Sequence, residues 1–135
     1  MREKQHEMVP DWFVPGAAAA EFWTAERCFI TELLNTSASP EVSLAIARVE
    51  PGVTTQLHCL AGVVERYVVR RGRGVLEVDG RRQPLMAGDQ ALIAAGAAQR
   101  ITNDGSEELE FYCVCTPRFT PDCYVNLEDE GNETN

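Results

Sequence analysis

"TTQLHCLAGVVERYVVRRGRG", residues 54–74, is the stretch on which the reading of the whole chain turns. It carries the only interior histidine, His58, then Glu65 seven residues later, and glycines at positions 72 and 74. Side chains alternate across a strand with a period of two. His58 and Leu60 therefore share one face of a first strand, and Glu65 and Tyr67 share one face of a second. "RYVVRRG" and "GVLEVDG" predict two short strands on either side of a glycine-rich hairpin turn.

Outward from this stretch the same period recurs. In "ERCFITELL" the residues Cys28, Ile30 and Glu32 oppose Phe29, Thr31 and Leu33, and the β-branched content selects strand over helix. "VSLAIARVE" predicts a strand that ends at the Pro51-Gly52 turn. "QPLMAGDQALIAAGAAQRITN" reads as turn, strand, turn, strand, with breaks at Gly88-Asp89 and Gly96. In "ELEFYCVC", Glu108 and Glu110 alternate with Leu109, Phe111, Cys113 and Cys115, so the odd-numbered set is expected to face the core. "ITNDGSEE" carries a hairpin signature in which Asn103 serves a turn. Arg48 departs from the pattern, because it shares a parity with Val42, Leu44 and Ile46, where a solvated position is not expected. Short strands at regular spacing, with no linker between them, predict one all-β sandwich or barrel.

Composition narrows the function classes. A chain of 135 residues is most simply one domain, long enough to bury a core without metals or disulfides as staples. Twelve basic residues against 21 acidic ones leave a net charge of −9, a field that repels nucleic-acid phosphates and anionic membranes. Arg66, Arg70, Arg71, Arg73, Arg81 and Arg82 cluster beside turns and read as a solvated outer face. No run approaches the roughly 20 apolar residues that span a bilayer, and "MREKQHEMVPDWFV" lacks the apolar segment of a signal peptide. A cytoplasmic location is the expectation. The five cysteines, Cys28, Cys59, Cys113, Cys115 and Cys123, are odd in number and match no zinc-finger or CxxC spacing, which points to reduced thiols.

Two motifs then carry a resemblance. Gly52, His58, Cys59, Leu60, Glu65 and Gly72 stand at the spacings of glycine, five residues, His-x-His, three or four residues, glutamate, six residues, glycine. Gly88, Ala94, Ala95, Gly96, Gln99 and Asn103 stand at those of glycine, five residues, Pro-x-Gly, two residues, histidine, three residues, asparagine. In both respects the chain resembles the cupins, over roughly Ala45 to Pro117. The resemblance implies a cupin-like double-stranded β-helix, the jelly-roll barrel. It divides the chain into N-terminal strands and arm over residues 1–40, packing on the barrel or a partner, a barrel core over 41–117, and a C-terminal extension with an acidic tail over 118–135. "EFYCVCTPRFTPDCY" further resembles a group of small bacterial cupins in which the third histidine is likewise glutamine.

Cupins commonly hold a divalent metal with three histidines and a glutamate. Here Leu60 and Gln99 stand at two of the histidine positions, while His58 and Glu65 keep theirs. Three readings stay open. In the first, His58, Glu65 and Gln99 hold a divalent metal (iron, zinc, nickel, manganese or copper), with Cys113 or Cys115 as a further ligand. In the second, the pocket is metal-free, and His58 and Glu65 recognise a small molecule or move a proton. In the third, the groups only satisfy one another as a buried polar cluster.

The resemblance implies a small-molecule enzyme of oxygenase, isomerase or cyclase type, with His58, Glu65 and Tyr67 as catalytic candidates. The alternative is a metal-free or non-catalytic binding module. The partners expected are a small-molecule ligand and a second copy in a homodimer, with neither nucleic acid nor membrane. The aromatic residues Trp12, Phe13, Phe22 and Trp23 of the N-terminal segment suit such an interface, and His6 would reach a site only if that arm folded over a barrel mouth.

Overall fold

The structure, a computed structural model, describes residues 9–16 and 19–128. Eleven strands occur among them: β1 (Glu21–Thr24), β2 (Cys28–Leu34), β3 (Ser43–Val49), β4 (His58–Leu60), β5 (Val64–Arg71), β6 (Arg73–Val78), β7 (Arg81–Met86), β8 (Gln90–Ile93), β9 (Gln99–Thr102), β10 (Leu109–Thr116) and β11 (Tyr124–Asn126). They form two antiparallel sheets, one ordered β1-β2-β3-β10-β5-β8 and the other β11-β4-β9-β6-β7. From β3 onward almost every connection carries the chain from one sheet to the other, with the β6–β7 hairpin as the exception. This is a double-stranded β-helix, and the all-β expectation holds. Among the described residues no helix is long and apolar enough to cross a membrane.

The core lies between the sheets and follows the alternation. Leu109 and Phe111 of β10, Val49 of β3, Tyr67 and Val69 of β5, Leu76 of β6, Ile93 of β8 and Ile101 of β9 are buried together. Each such side chain contributes roughly 1.5–3 kcal/mol on leaving water. Polar residues satisfy the barrel's ends. Asn103, fully buried, donates from Nδ2 to the carbonyls of Val49 (2.9 Å) and Glu107 (2.7 Å), while its Oδ1 accepts from the Gly105 amide.

Two hairpin expectations are corrected. The strands on either side of Gly72 do not pair: β5 lies between β10 and β8, and β6 lies between β9 and β7 in the opposite sheet. Gly72 is where the chain changes sheets. Its φ is +79°, and a Cβ there would stand 2.3 Å from the Glu108 carbonyl oxygen, so close backbone approach requires glycine. The Asn103–Gly105 turn likewise joins β9 to β10 across the sheets rather than closing a hairpin. The parity of β3 is also the reverse of the expectation, since Ser43, Ala47 and Val49 are its buried residues. Arg48 lies on the outer face. There it is bound by Glu21 (2.8 Å) and Glu108 (2.6 Å), with its guanidinium 4.0 Å over the Phe29 ring.

Candidate functional site

Strand register assembles the site in two halves. On one sheet β5 runs beside β10, placing Glu65 opposite Cys115 and Tyr67 opposite Cys113. On the other, β4 meets β9 at one pair, His58 opposite Gln99. Both halves face the space between the sheets, and hydrogen bonds cross it. The Tyr67 hydroxyl donates to Gln99 Oε1 at 2.6 Å, and Gln99 Nε2 donates to Glu65 Oε1 at 3.0 Å. Glu65 Oε2 accepts only a long contact from the Cys115 thiol, at 3.7 Å. All four of Tyr67, Gln99, Glu65 and His58 are buried.

Burial raises the Glu65 carboxyl above its ordinary range, against which the Gln99 bond and nearby His58 act only as partial offsets. The same burial, with the neighbouring Glu65, raises Tyr67 and Cys113. Cys115 is raised likewise, and Cys28 is pushed up to about 12 by burial and by Glu26. These thiols stay protonated at neutral pH, whereas ligation and nucleophilic attack need the thiolate.

His58 is oriented by its own strand entry. Its Nδ1 lies 2.8 Å from the carbonyl oxygen of Gln56, which can only accept, so Nδ1 carries the hydrogen and Nε2 the lone pair. The ring stacks on Tyr124 of β11, with centroids 4.7 Å apart and planes 14° apart. Gln56 ties three parts together. Besides accepting from His58, its amide donates to the Glu26 carbonyl (3.0 Å), and its Oε1 accepts from the Tyr124 hydroxyl. Among the described residues no fully buried side-chain nitrogen or oxygen lacks a partner. Nε2 has no partner among the described residues, and His58 lines the cavity, onto which this nitrogen opens.

That cavity, of about 150 Å³, is lined by His58, Glu65, Tyr67, Leu60, Phe111 and the thiols of Cys28, Cys113 and Cys115. Its lining also includes Glu26, from the turn between β1 and β2, and Glu32. The exposed lining residues Phe22 and Glu32 mark its mouth. Behind Glu26 the turn is clasped to the chain's far end. Arg27 donates to both carboxylate oxygens of Glu128, and Glu128 Oε2 also accepts from the Leu57 amide at 3.1 Å.

The structure therefore brings His58, Glu65, Tyr67 and Gln99 together with Cys113 and Cys115. Cys59 is not among the cavity-lining residues, and His6 lies outside the described residues. Glu26, Gln56 and Tyr124 were not anticipated. Parity held a signal for the first: Glu26 precedes Cys28, Ile30 and Glu32 by even steps, and that set faces inward. Nothing local announces that Tyr124 packs on His58.

Cupins commonly carry a divalent metal at this place, and the residues present do not fit one. Leu60 has no donor atom. Gln99 Oε1 is engaged by the Tyr67 hydroxyl and its Nε2 faces Glu65. Among the described residues no three histidine, cysteine, aspartate or glutamate side chains are grouped to hold a metal ion.

Two antiparallel sheets wound as a double β-helix around an interior pocket define the jelly-roll barrel class. The cupin domain family matches residues 45–115, more than half of the chain, and the protein belongs to the cupin family. It departs from the family's metal-binding motif at Leu60 and Gln99. A predicted oxalate decarboxylase from Thermotoga maritima is similar in structure, with a TM-score of 0.70 and 25% identity over 78% of this chain and 98% of that one. The Streptomyces nucleoside dehydratase Pac13, in a variant with uridine, superimposes with a TM-score of 0.74 at 15% identity, over 88% and 92% of the two chains. A double-stranded β-helix protein from Klebsiella pneumoniae gives 0.67 at 20% identity, over 78% and 89%. By sequence, 58 residues are 33% identical to the endoribonuclease YbeY of Myxococcus xanthus, a match over 43% of this chain and only a fifth of that protein.

Proposed function

We propose that this cupin is a small-molecule enzyme that works by proton transfer without a resident metal. His58 Nε2 is the base and Glu65 the acid, while Tyr67 and Gln99 hold Glu65 in place. The single observation that carries the reading is the fixed tautomer of His58, whose lone pair opens onto the cavity that Glu65 also lines. The chemistry this suits is isomerisation of a hydroxy-carbonyl compound. Nε2 takes the proton from the carbon beside the carbonyl, and the electron pair moves onto the carbonyl oxygen, which takes the proton of Glu65. The imidazolium then returns its proton to the adjacent carbon, and Glu65 recovers its own from the enol hydroxyl.

The competing reading is a divalent metal on His58, Glu65 and Gln99, with Cys113 or Cys115, performing oxygenase or cyclase chemistry. It requires Gln99 Oε1 to leave the Tyr67 hydroxyl, and it leaves Leu60, which has no donor atom, at a position where the family has a ligand. A non-catalytic binding module is the third reading.

Elemental analysis of untagged protein purified without chelator, beside His58→Ala, separates the first two. We expect no first-row metal near stoichiometry, before or after reconstitution. A stoichiometric metal that disappears in the variant would overturn the proton-transfer reading. Proton NMR of hydroxy-carbonyl compounds in D2O separates the third: deuterium enters beside the carbonyl with wild type and not with His58→Ala. Binding without exchange would leave a binding module. The homodimer belongs to the same proposal, since Phe22 and Trp23 on the edge strand β1 and Leu33 on its neighbour β2 are exposed; light scattering giving a monomer mass would refute it.

A further inference from the structure

The cavity's charge selects its ligand. Among the described residues its ionisable lining consists of Glu26, Glu32, Glu65, His58, Tyr67 and thiols, with no arginine or lysine. The guanidiniums nearest in the chain are turned elsewhere. Arg27, beside Glu26, reaches Glu128 and the Thr54 carbonyl, and Arg118 stops at Asn35 Oδ1, 2.7 Å away. Arg48 is held on the outer face by Glu21 and Glu108. A carboxylate or phosphate would enter with no cation to receive it, past two glutamates, at a large desolvation cost. Deeper in, His58 is only 5% exposed, and its Nε2, which has no partner among the described residues, opens onto this space as a hydrogen-bonding group.

We propose that the ligand is a small organic amine, bound as its ammonium ion. Glu26 is its counter-ion, and the opposite end of the molecule is presented to His58 Nε2. The inference rests on the proton-transfer pocket proposed above and names its substrate class: an amine-bearing molecule, not a carboxylic acid. A cavity of about 150 Å³ takes a molecule near the size of a single aromatic ring with one substituent. Phe22, Ile30, Phe111 and Phe119 supply apolar walls for its carbon skeleton.

Isothermal titration calorimetry with three probes of one shape, benzylamine, benzyl alcohol and benzoate, reads the preference at pH 7. We expect benzylamine to bind at least about tenfold more tightly than benzoate, the advantage of one ion pair in a partly shielded site. Glu26→Gln removes most of that margin and leaves benzyl alcohol unchanged, with an unaltered thermal midpoint as the folding control. Glu32→Gln, at the exposed mouth, shifts benzylamine less. Benzoate binding as tightly as benzylamine, or a margin untouched by Glu26→Gln, overturns the amine inference while leaving the proton-transfer pocket standing. Failure of all three probes to bind wild type at about 10 mM also overturns it. The deuterium-exchange result then decides separately whether the enzymatic reading falls with it.

Discussion

Glu65→Gln should make the protein more stable at neutral pH, and the gain should vanish in acid. The side chains are nearly isosteric, and the amide oxygen of the variant still accepts from Gln99 Nε2, so the packing is preserved. What changes is the proton. Burial raises the Glu65 carboxyl above its ordinary value of 4.5, so above pH 4.5 the folded chain binds a proton that the unfolded chain releases. Unfolding then liberates a proton, and stability falls as pH rises. Glu65 contributes fully below 4.5 and loses that contribution as pH climbs toward its folded pKa. The limiting slope for one group is about 1.4 kcal/mol per pH unit. Glutamine cannot titrate, so the variant lacks this slope.

Urea unfolding of both proteins at half-unit steps from pH 5 to 8 isolates the term, because every other carboxylate cancels in the difference. The two midpoints should nearly coincide at the acid end and diverge in favour of the variant as pH rises. The pH at which the gap levels off reads the folded pKa directly. A gap independent of pH, or one that opens in favour of wild type, would refute the reasoning, since it would mean that Glu65 is ionised and paired in the folded state.

Tyr67→Phe removes the donor to Gln99 Oε1 and strands a buried acceptor, so it should cost about 1–3 kcal/mol, read as a lowered urea midpoint at unchanged slope. Asn103→Ala deprives the Val49 and Glu107 carbonyls and the Gly105 amide of partners at once, and should cost about 2–4 kcal/mol in the same assay without touching the cavity. Leu60→His with Gln99→His returns imidazoles to the two positions where the family has them. Elemental analysis after zinc loading should find the metal in this double variant and not in wild type, and equal metal contents would count against the account of why the native residues do not fit.

Most of the strands were legible because each has one wet and one dry side, which β1 and β11 lack. The odd-numbered residues of "LEFYCVC" face the interior as their alternation requires, and so do Cys28, Ile30 and Glu32 of "CFITELL" up to the register shift before Leu34. The partners of those strands were not legible. A Gly72 or Asn103-Asp104-Gly105 turn uses the same residues whether the chain doubles back in one sheet or crosses to the other, and long-range pairing alone decides between them. Arg48 misled for a related reason, since its aliphatic stem and planar head pack on Phe29 where a bare charge would not. At the site, motif spacing located His58, Glu65 and Gln99 on both sheets. Of the partners that give them their character, Gln56 holds the imidazole proton from just ahead of β4, whereas Tyr124, stacked on the ring, arrives on a three-residue strand from the C-terminal region that no periodicity marks.

The clasp between Arg27 and Glu128 joins the turn that carries Glu26, which lines the pocket, to the segment that follows Tyr124, which stacks on His58. Its side chains remain 42% and 27% exposed, within reach of dissolved ions. At molar salt the Debye length shrinks to about 3 Å, and such a pair loses most of its hold. Ionic strength thus becomes a lever on this tie that is separate from acidity: in brine the turn that carries Glu26 is held less firmly to the segment behind His58 than in dilute buffer.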